Sequence, residues 1–179
     1  MKRRMVLITL GVCLTMGLLM AQTAQTSNMK KAFSRSTIDI GVVVSDVEKA
    51  ATFYTEAVGF TEVQGFDVSP QLAGDAGLTK YHPFKVRVFV LADEPTATRL
   101  KLMEVPDAAP KKTDQQYISS SLGYSYLTVH TADMKAAVER ARAAGVSPVK
   151  APYQLGGNNY LTLLKDPDGN LVELVGPSN

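Results

Sequence analysis

The sequence predicts an α+β protein built from two β-α-β-β-β modules. Three observations carry this. The stretch 38–60, IDIGVVVSDVEKAATFYTEAVGF, reads as a strand, an amphipathic helix and the start of a second strand. A weaker copy returns at 124–146, with Ala50, Ala51 and Gly59 recurring 86 residues later as Ala136, Ala137 and Gly145. Each copy is followed by further β-rich runs with turn residues between them.

Module one opens with a strand over 38–44. Alternation sets Ile38, Ile40, Val42 and Val44 on one face and Asp39, Gly41 and Val43 on the other. A carboxylate and a glycine on one face mark that face as more than a packing surface. Ser45 is placed to cap the next helix, with Glu48 at capping-box spacing. Val47, Ala50, Ala51, Tyr54, Ala57 and Val58 then form one apolar stripe at helical spacing. Gly59 ends the helix, because glycine takes the left-handed conformation at little cost. The second strand is 60–66. The stretch 67–84 is too long for a bare loop, and Ser69-Pro70 reads as a cap and first-turn proline before a short helix over 71–76. Strands three and four are 85–91 and 99–105.

A linker rich in Pro, Lys, Ser and Gln, 106–122, leads to module two. Its first strand is 124–129. Asp133 caps a helix with Met134, Ala137, Val138 and Ala141 on its apolar face and Gly145 at its end. A short strand is expected near 148–151. The strands 160–164 and 171–175 flank a hairpin turn at Pro167-Asp168-Gly169, where proline presets one backbone angle and glycine permits a positive one. Gly156-Gly157-Asn158-Asn159 leads into no helix, so it is a flexible connection and not a phosphate loop. One β-α-β-β-β unit cannot close its own sheet, so two must pack together.

The first 36 residues stand apart. Lys2, Arg3 and Arg4, the uncharged apolar run 5–20 and the small residues after it have the three-part layout of a secretory signal over 1–21. A polar tether over 22–36 follows. The apolar run is shorter than the roughly 20 residues a spanning helix needs, and an uncleaved N-terminal anchor is the alternative. The expected location is secreted or periplasmic, with no membrane contact beyond the signal. Cleavage removes three basic residues and no acidic one, which takes the formal net charge from +2 to −1. The basic balance therefore belongs to the leader. The domain over 37–177, with module one at 37–105 and module two at 123–177, has no basic patch for nucleic acid. The sole cysteine, Cys13, leaves with the leader, which excludes disulfides and thiol chemistry in the mature chain.

Two patterns point to a family. The spacing Asp46…Phe53-Tyr54…Gly59-Phe60 and the run Asp166-Pro167-Asp168-Gly169-Asn170…Glu173-Leu174 resemble the vicinal oxygen chelate superfamily of glyoxalases, bleomycin-resistance proteins and extradiol dioxygenases. The resemblance implies sheets that curl around a cup with the helices outside. It also implies a divalent metal in that cup, held by His or Gln in the first strand, Glu in the fourth, His in the fifth and Glu in the eighth. In this chain those positions fall at Asp39, Lys101, Tyr124 and Glu173. Only Glu173 keeps the usual residue. A lysine ammonium has no lone pair to give, and a tyrosine stays neutral up to about pH 10.

The leading reading is an exported small-molecule-binding protein of this type without the usual metal. Its ligand would lie among Asp39, Lys101, Met103, Tyr124, Tyr126 and Glu173. Lys101 is expected between Asp39 and Glu173, neutralising both carboxylates. His130 and Thr128 also fall on the cup face, and His82 lies in the loop before the third strand; both histidines are expected in solvent. The first alternative is a lyase, isomerase or dioxygenase acting next to a carbonyl. There Glu173 or Asp39 would serve as base and Lys101 would hold the developing oxyanion. A divalent metal bound by Glu173 and Asp39 belongs to that alternative. The second is a non-catalytic interaction module, and a homodimer is allowed by all three.

Overall fold

The computed structural model describes residues 33–179, so the expected signal over 1–21 and the tether up to residue 32 lie outside the described residues. Residues 33–38 carry no helix or strand. Residues 39–179 hold two four-stranded mixed sheets and few helices, the expected α+β architecture.

In module one, β1 (Asp39–Val43) lies parallel beside β4 (Arg99–Glu104), followed by β3 (Phe84–Val90) and β2 (Thr61–Val68) in antiparallel pairing. In module two, β5 (Tyr126–His130) lies parallel beside β8 (Leu171–Pro177), followed by β7 (Asn159–Lys165) and β6 (Tyr153–Gly156). The orders β1-β4-β3-β2 and β5-β8-β7-β6 match, so the repeat in sequence is a repeat in space. Strand β6 starts later than its expected place near 148–151. Val149 N–H does reach Leu163 O at 2.8 Å, but the flanking Pro148 and Pro152 cannot donate to a ladder.

Helix α1 (Val47–Thr52) runs directly into a π-helix, Phe53–Val58. Its cap is Asp46, whose side chain accepts from Lys49 N at 3.0 Å. The expected cap, Ser45, is drawn to the other module instead: its N–H and Oγ donate to Asp168 at 2.9 and 2.6 Å. Glu104 Oε2 accepts from Val47 N at 3.1 Å and satisfies a further free amide of the first turn. The wider π turn brings both Phe53 and Tyr54 inward. Gly59 closes it at φ +97°, with its N–H bonded to Tyr54 O.

The main core draws on both modules. Tyr54, Phe89, Leu100 and Leu102 come from the first, Met134, Leu164, Val172 and Leu174 from the second, all at 2 % exposure or less. Burying each large side chain is worth about 1.5–3 kcal/mol. Helix α3 (Met134–Ala143), capped by Asp133, packs on the π-helix. Arg140 donates to carbonyls of the last turn of that π-helix, Ala57 O at 3.3 Å and Val58 O at 2.7 Å. Helix α2 (Pro70–Asp75), capped by Ser69 as expected, lies on the other face of the first sheet. There Ala73 forms a second small core with Val68, Val86 and Val88. No helix among the described residues is long and apolar enough to cross a membrane.

Candidate functional site

Alternation along the strands separates two faces. Leu100, Leu102, Val172 and Leu174 point into the main core, so Lys101, Met103 and Glu173 point to the opposite faces of their sheets; in the first sheet α2 covers part of that face, over Val86 and Val88.

In the first sheet, Lys101 Nζ lies 2.8 Å from Asp39 Oδ2. The pair spans adjacent strands, since β1 runs in register beside β4. The ammonium also sits 5.9 Å from the centre of the Phe66 ring. Phe66 owes that place to a bulge in β2 between Val63 and Phe66. Gly65 makes the bulge feasible, because a Cβ there would meet Val86 O at 2.2 Å. Met103 packs over Gly41, where a Cβ would come within 3.1 Å of Met103 Cε.

In the second sheet, Thr128 stands opposite Glu173. Thr128 Oγ1 donates to Glu173 Oε1 at 2.8 Å. Lys101 therefore does not bridge Asp39 and Glu173: each carboxylate is engaged by the neighbouring strand of its own module. Tyr126, Thr128 and His130 line one face of β5, with Tyr126 half exposed. Tyr124 is fully exposed and precedes β5, which begins two residues later than the sequence reading placed it. A cavity of about 560 Å³ adjoins this face, lined by His130, Thr131, Leu155, Asn159, Val175 and Pro177 among others. A second, of about 440 Å³, lies at the helix-side seam and includes Phe53, Val146, Lys165 and Asp166 in its walls. His82 lies outside both, its backbone tied to Thr79 Oγ1.

In the sequence Asp166 stands out only as the head of the Asp166–Asn170 run that carries the family resemblance. It is 4 % exposed and accepts four hydrogen bonds: from Asp168 N and Asn170 N, from Asn170 Nδ2, and from Tyr54 OH at 3.3 Å. Burial first, and then the negative charge of Asp166, hold the Tyr54 phenol in its neutral form well above the usual tyrosine range. The usable signal was an aspartate ahead of its own turn together with a phenol in the apolar stripe of the opposite module.

The donor set does not fit a divalent cation at the four corresponding positions. The Lys101 ammonium occupies one and holds Asp39 at another, while Tyr124, expected at a third, lies in solvent ahead of β5, and the counterpart of Asp39 in the second sheet is Tyr126, a neutral phenol. No three His, Cys, Asp or Glu residues come together among the described residues.

Comparison with known proteins agrees with the fold. The family model described as the Glyoxalase/Bleomycin resistance protein/Dioxygenase superfamily matches residues 38–174. A lactoylglutathione lyase of Pseudomonas putida is 27 % identical over 146 residues, covering 75 % of this chain and 81 % of the relative. A putative lactoylglutathione lyase of Brassica oleracea var. gemmifera is 25 % identical over 160 residues; the match takes in 87 % of this chain but only 49 % of the plant protein. The crystal structure of a glyoxalase family protein from Bacillus cereus superposes with a TM-score of 0.69 at 19 % identity, over 82 % of this chain and 96 % of that one.

Proposed function

We propose that this chain, which belongs to the Glyoxalase/Bleomycin resistance protein/Dioxygenase superfamily, binds a small organic molecule on the sheet faces that carry Lys101 and Glu173, without a divalent metal. One observation carries the proposal: the 2.8 Å Lys101–Asp39 ion pair sits where two metal ligands would be needed. A positive charge held there by a carboxylate repels a cation and supplies no lone pair. Ligand contacts fall to Lys101, Met103, Tyr126 and Glu173, with Asp39 orienting Lys101 and Tyr124 reaching in from the β5 approach. Elemental analysis of protein purified without chelator tests the reading. Less than a tenth of a metal ion per chain is the outcome in its favour, on the order of the trace occupancy of a non-site. One zinc, nickel, iron or manganese per chain, lost in Glu173→Ala, overturns it.

Export through the signal over 1–21 belongs to the same proposal. N-terminal sequencing of the protein from the periplasm or medium should find the leader removed; an intact leader on all recovered protein counts against it.

The relationship to lactoylglutathione lyases favours a second reading, a lyase with Glu173 as base. Glu173 is part-buried, and its bond from Thr128 leaves one carboxylate oxygen for a substrate proton. Assay in the direction that forms lactoylglutathione, from glutathione and methylglyoxal, separates the readings: thioester formation abolished by Glu173→Gln establishes the lyase, and no formation above the uncatalysed rate favours the binder.

A further inference from the structure

We propose that the open face of module two recognises an organic cation, an ammonium group carried on an apolar body. The inference rests on the metal-free reading above. Three successive pairs of β5 and β8 line this face: Tyr126 with Leu171, Thr128 with Glu173, and His130 with Val175. Glu173 stands in the middle. Thr128 is a neutral donor, so its 2.8 Å hydrogen bond orients the carboxylate and leaves its charge in place. No lysine, arginine or histidine among the described residues forms an ion pair with it. Lys101 is held by Asp39, and Lys165, at the end of β7, lines the seam cavity.

The surroundings of that charge select the ligand. To one side stands the half-exposed Tyr126. To the other lies the cavity of about 560 Å³, lined by His130 and Val175 of this face and by Leu155 and Pro177. Same-face residues follow each other at roughly 7 Å along a strand, so a ligand with its cation on Glu173 reaches both. A carboxylate attracts the ammonium, an aromatic face adds cation–π attraction, and the cavity takes the apolar body. An anion of the same shape would meet the unneutralised carboxylate and be rejected.

Calorimetric titration of the purified protein at about pH 7 tests this with three probes of similar size: benzylammonium, benzyl alcohol and benzoate. The expected result is one-to-one binding of the ammonium probe at least about tenfold tighter than the alcohol, a gap typical of one charge-assisted contact, with no binding of benzoate. Glu173→Gln keeps an acceptor for Thr128 and should bring the ammonium probe down to the level of the alcohol. Tyr126→Leu should weaken the ammonium probe and leave the alcohol unchanged. Equal affinity of the ammonium and alcohol probes, ammonium binding unaltered in Glu173→Gln, or no binding of any probe at millimolar concentration overturns the inference. A preference for benzoate also overturns it while leaving the metal-free reading intact. One metal ion per chain, lost in Glu173→Gln, removes that underlying reading itself.

Discussion

The Lys101 side chain is 29 % exposed, and that of its partner Asp39 13 %. An exposed ion pair contributes at most about 1 kcal/mol, whereas removing one partner of a buried pair costs about 3–5 kcal/mol. This pair lies between the two limits, so Lys101→Met is expected to cost about 1–3 kcal/mol in urea melts at pH 7. Adding Asp39→Asn should return part of the loss, because the carboxylate that Lys101 neutralised is removed with it. Adding Glu173→Gln should return none, because Glu173 is satisfied by Thr128 in the other sheet. A Lys101→Met midpoint equal to wild type would place the lysine in solvent. The face on which Lys101 lies was legible in the sequence, since period-two alternation through Leu100-Lys101-Leu102-Met103 leaves only one choice. Its partner was only half legible. Alternation says which residues share a face of one sheet, but not how two separate sheets stand to each other, and the expected Glu173 contact needed the second kind of information.

Between residue and module stands the helix that begins at Val47. Its apolar stripe and its closing glycine were legible, but its cap and its pitch were not. Capping-box spacing favoured Ser45, yet Asp168 arrives from 123 residues away and takes both Ser45 donors, which leaves the cap to Asp46. A long-range partner of this kind leaves no local trace. The π-helix is equally silent in sequence, and its effect is to aim Tyr54 at Asp166. Tyr54→Phe should cost about 0.5–1.5 kcal/mol at pH 7, the net worth of one hydrogen bond, since Asp166 keeps its other three donors. The pH dependence has a definite sign. The phenol is raised in the folded state, so its contribution is fully present below the unfolded value near pH 10 and is lost as pH rises beyond it towards the folded value. Wild type should therefore lose stability above about pH 10 more steeply than Tyr54→Phe, as read by urea midpoints at pH 9 and pH 11. Parallel slopes would mean the phenol is not buried. On the acid side, Arg87 reaches Glu62 at 2.7 Å and Glu48 at 2.8 Å, joining α1 to β2 and β3. Hydrogen bonding to Arg87 depresses the Glu62 carboxyl. That stability is present above the unfolded value near pH 4.3 and is lost as pH falls through the lower folded value. Glu62 is more than a third exposed, so solvent screening keeps the effect small. Glu62→Gln should narrow the stability difference between pH 6 and pH 3 by a few tenths of a kcal/mol, on the order expected for an exposed pair; an unchanged difference would show the bridge to be energetically idle.

At the scale of the whole molecule, the repeat was legible because each module rewrites the same order of strand and helix. The manner of joining was not, because apolar stripes say that helices are covered without saying by what. In the folded chain the answer is the other module: α3 lies on the π-helix, Arg140 closes that helix's carbonyls, and Tyr54 and Ser45 reach across to the β7–β8 turn. Two modules that share one core should unfold together. Met134 provides the test, since it belongs to module two, is 1 % exposed and lies in the cluster that also holds Tyr54 and Leu102. Met134→Ala should cost about 2–5 kcal/mol through lost burial and the cavity left behind. With a shared core, native-state hydrogen exchange should then speed up by the same factor at Leu100 and Leu102 in β4 as at Leu164 and Leu174 in module two, because all four amides open through one global event. Separate cores would give a different result: exchange would quicken at Leu164 and Leu174 while Leu100 and Leu102 kept wild-type protection. In that case the hydrogen bonds across the seam would be docking contacts between two independently folded halves.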